Sequence, residues 1–239
     1  MLRKIVFIIA FSFLIMTFSI YNVESKGEQG TLQASGLISY KFQNLNFAVS
    51  IDYKINYSIN YNDETTKGDY NDVKVTLQGG EANITFNIAN NTVSYNRTLK
   101  LGEQLTINAG IFEFAITLKA EAPVNVQGDA TAATSSVSFE NEGQQTVRIK
   151  VNDNANAGEL VNVTLPFSIQ IFFSLTKPIP SSLINIGKID LSPPLKIQFR
   201  VTENWLDKYL IYIIAGIVVA AIAVGALFIA MRRRRRREA

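Results

Sequence analysis

The chain has 239 residues, with no cysteine and no histidine, and carries 23 Lys and Arg against 20 Asp and Glu. These absences exclude a disulfide framework, thiolate metal sites and cysteine nucleophiles, along with the commonest general base and metal ligand. Arg3, Lys4 and the arginines at 232–237 supply eight of the basic groups, so residues 26–208 hold 15 basic against 18 acidic side chains. A net charge of −3 there is not the basic face that a nucleic-acid partner requires.

The chain opens with Arg3 and Lys4, then an apolar stretch from Ile5 to Ile20, with polar residues resuming at Asn22. This is the pattern of a secretory signal over residues 1–25, with the small Val23 and Ser25 placed for a cut after Ser25. Retention as an uncleaved anchor is the other reading. Both leave the middle of the chain outside.

Residues 26–207 alternate with period two. In Leu45, Phe47, Val49, Ile51, Tyr53, Ile55, Tyr57, Ile59 and Tyr61, apolar or aromatic side chains take every odd position. Only a strand sends alternate side chains to opposite faces, so this is one half-buried strand or two joined by a bend. Shorter pieces follow at Val73–Leu77, Ile84–Ile88, Val93–Tyr95, Leu105–Ile107, Phe112–Leu118 and Val147–Val151. A second long run spans Val161–Leu175, with Pro166 predicting an edge or bulge because proline lacks an amide donor. Leu195–Val201 closes the series. Turns are predicted at Asn62-Asp63, Gly79-Gly80, Asn90-Asn91, Asn108–Gly110 and Asn152–Gly158. The acidic stretch Asp63, Glu64, Asp69 and Asp72 reads as a solvated hairpin tip. The Asn152–Glu159 stretch reads as a turn rather than a calcium loop, which needs more carboxylates.

Many short strands with such turns predict an all-β fold, an antiparallel immunoglobulin-like β-sandwich, followed by one C-terminal transmembrane helix. A small polar stretch near 128–136 is either a loop in one unit or a boundary between two. Without disulfides the outer part must hold by burial, and a chain of its size buries roughly 70% of its surface.

Five sequons occur, at Asn56, Asn83, Asn90, Asn96 and Asn162. Asn56, Asn83, Asn96 and Asn162 fall on the polar phase of their strands and Asn90 in a turn, so all five suit glycosylation. Pro178, Pro180, Pro193 and Pro194 cluster late in the outer part and predict stiff loops near the membrane.

Leu210 to Met231 is an unbroken apolar run of 22 residues. At 1.5 Å per residue it is about 33 Å long, enough for a bilayer core of about 30 Å. The span is set at 208–231. Trp205, Tyr209 and Tyr212 at its start read as interfacial anchors. Arg232, Arg233, Arg234, Arg235, Arg236 and Arg237 follow in the tail 232–239 and hold the C-terminus in the cytoplasm, against membrane lipid. Small residues recur four apart, Gly216 with Ala220 and Ala221 with Gly225, a spacing that lets helix backbones approach.

The stretch TVRIKVNDNANAGELVNVTLPFSI, Thr146–Ile169, resembles a phrase of archaeal and bacterial surface sandwich domains. VKVTLQGGEANITFNIANNT is similar to the Asn-bearing strands of immunoglobulin-like adhesion and S-layer-associated families. The absent cysteine and terminal arginines also resemble archaeal single-pass membrane proteins. The resemblance implies a structural or adhesive role at the cell surface and carries no functional residue across.

The expectation is a non-enzymatic, type I single-pass plasma-membrane protein. It needs no cofactor or metal and meets envelope proteins or glycans through a glycosylated β-sandwich. A second reading is an accessory subunit that finds a membrane-protein partner through its spanning helix. A third, an extracellular hydrolase built on paired carboxylates, lacks any pairing that linear sequence reveals.

Overall fold

A computed structural model describes residues 25–42, 45–88, 91–109, 111–178 and 180–235. The predicted signal up to residue 24, Asn90, and Arg236 and Arg237 lie outside the described residues.

The chain runs through β1 (Ser25–Phe42), β2 (Leu45–Asn62), β3 (Glu64–Thr66), β4 (Tyr70–Ile88), β5 (Asn91–Thr98), β6 (Gln104–Ala109) and β7 (Phe112–Pro123). It continues through β8 (Asn125–Gln127), β9 (Ala130–Ala132), β10 (Ser136–Phe139), β11 (Gly143–Val151) and β12 (Leu160–Leu165). Then come β13 (Ser168–Lys177), β14 (Ile184–Asp190), β15 (Leu195–Thr202) and the helix α1 (Trp205–Arg235). The first sheet has the order β1-β2-β4-β11-β9, with β5 also on β4. The second is β10-β7-β13-β14, with β6 on β7, and the third is β3-β15-β12-β8. Every pairing is antiparallel except β3 with β15.

β2 is one continuous strand of 18 residues. Its described odd positions are buried apart from half-buried Tyr57, as the alternation predicts. β4, 19 residues long, joins two predicted strands into one. The predicted turn at Gly79-Gly80 is not a turn. Lys54 faces Glu81 and Asn56 faces Gln78, so the two glycines oppose the single Ile55. That is a β-bulge, and Gly79 takes the left-handed φ of 67° that favours glycine. The extra residue flips the phase: Val73, Val75 and Leu77 point inward before it, Ala82, Ile84 and Phe86 after it. Below the bulge β4 pairs with β11, and above it with β5.

The run Val161–Leu175 behaves in the opposite way. It keeps one phase, with every odd side chain from Val161 to Leu175 buried, but it is two strands. β12 pairs with β15 and β8, whereas β13 pairs with β7 and β14. The chain changes sheets at Pro166-Phe167, where a missing amide donor makes the ladder easiest to leave. The acidic stretch is also more than a hairpin tip. It contains β3, which pairs with β15, and Asp72 lies within β4 against Arg148 of β11.

β1 shows little hydrophobic alternation because its inward positions include Gly30, Ala34 and Gly36. Close packing explains Gly36, and Gly187 of β14 mirrors it. A Cβ on Gly36 would lie 2.8 Å from the Ile189 side chain, and one on Gly187 would lie 2.7 Å from Ile38. β1 and β14 thus interdigitate across the sheets. Beside them, Gln33 and Ser192 exchange backbone hydrogen bonds of 2.9 and 2.7 Å, which curls the first sheet toward the second.

The second sheet covers the upper half of the first. Phe47 and Phe86 from one meet Phe114 and Phe173 from the other, with ring centroids 5.2–6.1 Å apart. The third sheet joins its lower half. Buried Asn71 of β4 donates to Thr65 Oγ1 of β3 and to the Asn62 carbonyl, both at 2.8 Å, and accepts from the Asn62 amide. The buried side chains form one cluster. Within the 128–136 stretch, β9 pairs with β11 and packs Ala130 and Ala132 on that cluster.

Candidate functional site

The strand directions put both ends of the β region at one pole. Ser25, where β1 starts, is the register partner of Asn62. Lys26 Nζ lies 3.7 Å from Asp63 Oδ1, and the Arg200 amide of β15 donates to the Asp63 carbonyl at 2.9 Å. α1 begins five residues beyond Arg200. At the opposite pole stand the β6–β7 and β13–β14 connections, with Ile111 78% and Leu183 52% exposed. Pro178 and Pro180 belong to that far pole, and Pro193 and Pro194 to the crossing between β14 and β15. The prolines therefore do not stiffen the end next to the helix as predicted: Pro178 and Pro180 follow β13 at the far pole, and β15 returns to the helix.

α1 is 31 residues long, and the window Tyr209–Ala226 has a mean hydropathy of 2.5. Every described side chain in that window is exposed or half-exposed. By length and composition the helix can cross a bilayer. Trp205 opens it, the Tyr209 and Tyr212 rings lie 6.4 Å apart on its first turns, and Arg232–Arg235 form its last turn. Gly216, Ala220, Ala221 and Gly225 lie along it, and a Cβ on Gly225 would meet nothing within 4 Å.

A trough of about 530 Å³ lies on the outer face of the first sheet. It crosses β1, β2 and β4 beside the Gly79-Gly80 bulge, and bulges bend the strand that carries them. Gln33, Ser35, Asp52, Lys54, Glu81 and Asn83 line it with their side chains. The register sets them in two rows. Ser35 faces Asp52, which faces Asn83; Gln33 faces Lys54, which faces Glu81. Ser35 Oγ donates to Asp52 Oδ1 at 2.5 Å. All six side chains are exposed.

Beneath the floor, Tyr53 points the other way. It is 1% exposed, and its phenol donates to the Leu99 carbonyl at 3.4 Å. Burial, with Glu142 adding a smaller effect, pushes its ionisation well above the ordinary tyrosine range. A Cβ on Gly80 would lie 2.0 Å from that phenol oxygen, so the bulge glycine makes room for the buried ring. The trough therefore offers amide, hydroxyl, carboxylate and ammonium groups and no aromatic face.

The sequons distribute unevenly around this feature. Asn83 lines the trough, and Asn96 of β5 is its register partner. Asn56 lies on the same exposed face, below the bulge, and its Oδ1 accepts from Thr31 Oγ1 at 3.0 Å. Asn162 is half-exposed on the third sheet and accepts from Gln198 Nε2 at 2.8 Å. Among the described residues no group of three or more acidic side chains is placed to hold a metal ion. The Asn152–Glu159 stretch is closed by its own backbone, with Ala155 donating to Asn152 and Glu159 to Asn156.

The trough went unread in the sequence, although Asn83 was singled out for its sequon. A signal for it existed in the phase flip across Gly79-Gly80, which marks a bulge rather than a turn. No family model, curated protein or solved structure matches this chain.

Proposed function

We propose that the chain is a non-enzymatic, single-pass protein of the cell envelope. Its β region stands outside the plasma membrane as a glycosylated, immunoglobulin-like sandwich that makes structural or adhesive contacts. The observation that carries this reading is α1, a 31-residue apolar helix that follows β15 directly and ends in arginines. Guanidinium groups are costly to move through lipid, so this end stays cytoplasmic. The common pole of Ser25 and Trp205 supports it, because the start of the β region and the start of the helix then lie on one side. The face-to-face antiparallel sheets support the sandwich, and the exposed Asn56 and Asn83 support glycosylation.

The partners are envelope proteins or glycans outside and lipid around the helix. A reading as an accessory subunit is favoured by the open flank at Gly225, which leaves room for a second helix. Stoichiometric co-purification of a polytopic protein in mild detergent would support that reading, and recovery of a lone chain would remove it.

The topology is tested with reporters and protease on intact cells. External protease should remove the β region and leave a small fragment bearing a C-terminal tag. Replacing all of Arg232–Arg237 with Gln should yield a mixed orientation. A C-terminal tag that antibody reaches on unpermeabilised cells expressing the unaltered chain would overturn the proposal.

A further inference from the structure

We propose that the trough on the outer face of the first sheet is a bed for carbohydrate, filled by the glycan attached to Asn83. The inference rests on the glycosylated reading above and deepens it. Its first support is position: Asn83 lines the trough, Asn96 is its neighbour on β5, Asn56 lies beyond the bulge and Asn162 on another sheet. Its second support is size. About 530 Å³ falls in the range of small-ligand sites and suits the first few sugars of a chain.

Chemistry supplies the third. Sugar hydroxyls both donate and accept, and the two rows offer both complements. Asp52 and Glu81 accept, Lys54 donates, Gln33 does either, and Ser35, already donating to Asp52, accepts. The missing aromatic face selects the source of the sugar. Tyr53 is the trough's aromatic residue, and its ring is turned into the core. Exposed hydrogen bonds without ring stacking retain a free saccharide only at Kd on the order of 1 mM or weaker. A sugar already joined to Asn83 is presented at an effective concentration of that order or above, so tethering fills a site that free sugar leaves empty.

The test is a thermodynamic cycle on the full chain in detergent, made in a host that glycosylates it. Glycopeptide mass spectrometry first reads occupancy at each sequon. Thr85→Ala then removes the Asn83 sequon while keeping the asparagine, and Lys54→Ala with Glu81→Ala removes the bed. Thr85→Ala should lower the melting midpoint in the otherwise unaltered chain, and by less than half as much in the Lys54→Ala/Glu81→Ala background. The same cycle in chain made without a glycosylating host should show no such coupling.

Equal losses in both backgrounds, with Asn83 occupied, would overturn the bed and leave glycosylation standing. So would an empty Asn83 on a chain glycosylated elsewhere, whereas glycan at no sequon would remove both readings. In a last arm, the oligosaccharide released from the protein is titrated onto the Thr85→Ala chain. Saturation well below 1 mM would make the trough a receptor for external sugar and overturn the tethered occupant.

Discussion

Replacing Phe173 with alanine should cost more stability than almost any other single truncation in this protein. The ring is 1% exposed and lies between the two upper sheets. Its centroid is 5.1 Å from that of Phe114, 5.6 Å from Phe47 and 6.1 Å from Phe86. Burial of a phenyl ring plus the cavity left behind costs about 3–5 kcal/mol, and each lost ring pair contributes up to about 1.5 kcal/mol within such a total. With four rings around it, Tyr40 at 6.4 Å being the fourth, the upper end, about 5 kcal/mol, is expected. For a region of this size that lowers the melting midpoint by roughly 10–20 °C. The neighbouring Phe172 is the internal control. It points to the outer face, where Lys119 Nζ sits 5.1 Å from its centroid, and Phe172→Ala should cost about 1 kcal/mol. Circular dichroism of the detergent-solubilised full chain, followed through heat and urea, measures both variants. If Phe172→Ala and Phe173→Ala lose equal stability, the upper sheets are not joined through this aromatic cluster and the reasoning fails.

Gly80→Ala should destabilise by about 1–3 kcal/mol, because its Cβ would displace the Tyr53 phenol and press on the Leu99 carbonyl at 2.8 Å. An unchanged urea midpoint would show that the bulge yields freely. Asn71→Ala should cost about 2–3 kcal/mol, since it strips partners from Thr65 and from both backbone groups of Asn62. Faster amide exchange confined to β3 and the end of β2 should accompany it, and exchange unaltered there would count against the bridge. Stability should stay flat from about pH 6 to 9, because no histidine titrates. Hydrogen bonds from Lys177 and Thr176 depress the Glu113 carboxyl, and Lys119 depresses Glu140. A depressed carboxyl stabilises above its unfolded value, so acid loss should begin only below the ordinary 4.5. At the other end, burial raises Tyr53 and Tyr61, and that contribution is present below the ordinary 10.0 and lost as pH climbs past it. A melting midpoint that dips between pH 6 and 8 would refute this account.

Several features of the fold were open to reading along the chain. Period-two alternation marked the buried face of β2, Tyr57 being half-buried, because one polar and one apolar side of a strand leave their signature in consecutive positions; that it is one strand rather than two came from the ladder. The same logic located β7, β11 and β15, and an unbroken apolar run located the terminal helix. Alternation missed β1, whose inward positions include Gly36, set against Ile189 of β14, and Gly30, set against Tyr57 of β2, residues that lie far along the chain. It misread Gly79-Gly80, because a glycine pair serves a turn and a bulge equally well. It saw Pro166 as a local irregularity, whereas the chain there leaves one sheet for another. Of the candidate site, the sequence exposed Asn83 through its sequon. Gln33, Ser35, Asp52, Lys54 and Glu81 look like ordinary polar positions until the register sets them side by side.

An all-β region, a terminal apolar helix long enough to span a bilayer and the arginines that follow it were legible along the chain alone. These follow from local composition and periodicity, which solvent and lipid read directly. Tertiary structure decided the rest: three sheets rather than two, the shared pole of Ser25 and Trp205, and the polar trough beside the bulge. Each depends on which strands exchange hydrogen bonds, and that choice is made by packing between residues tens of positions apart.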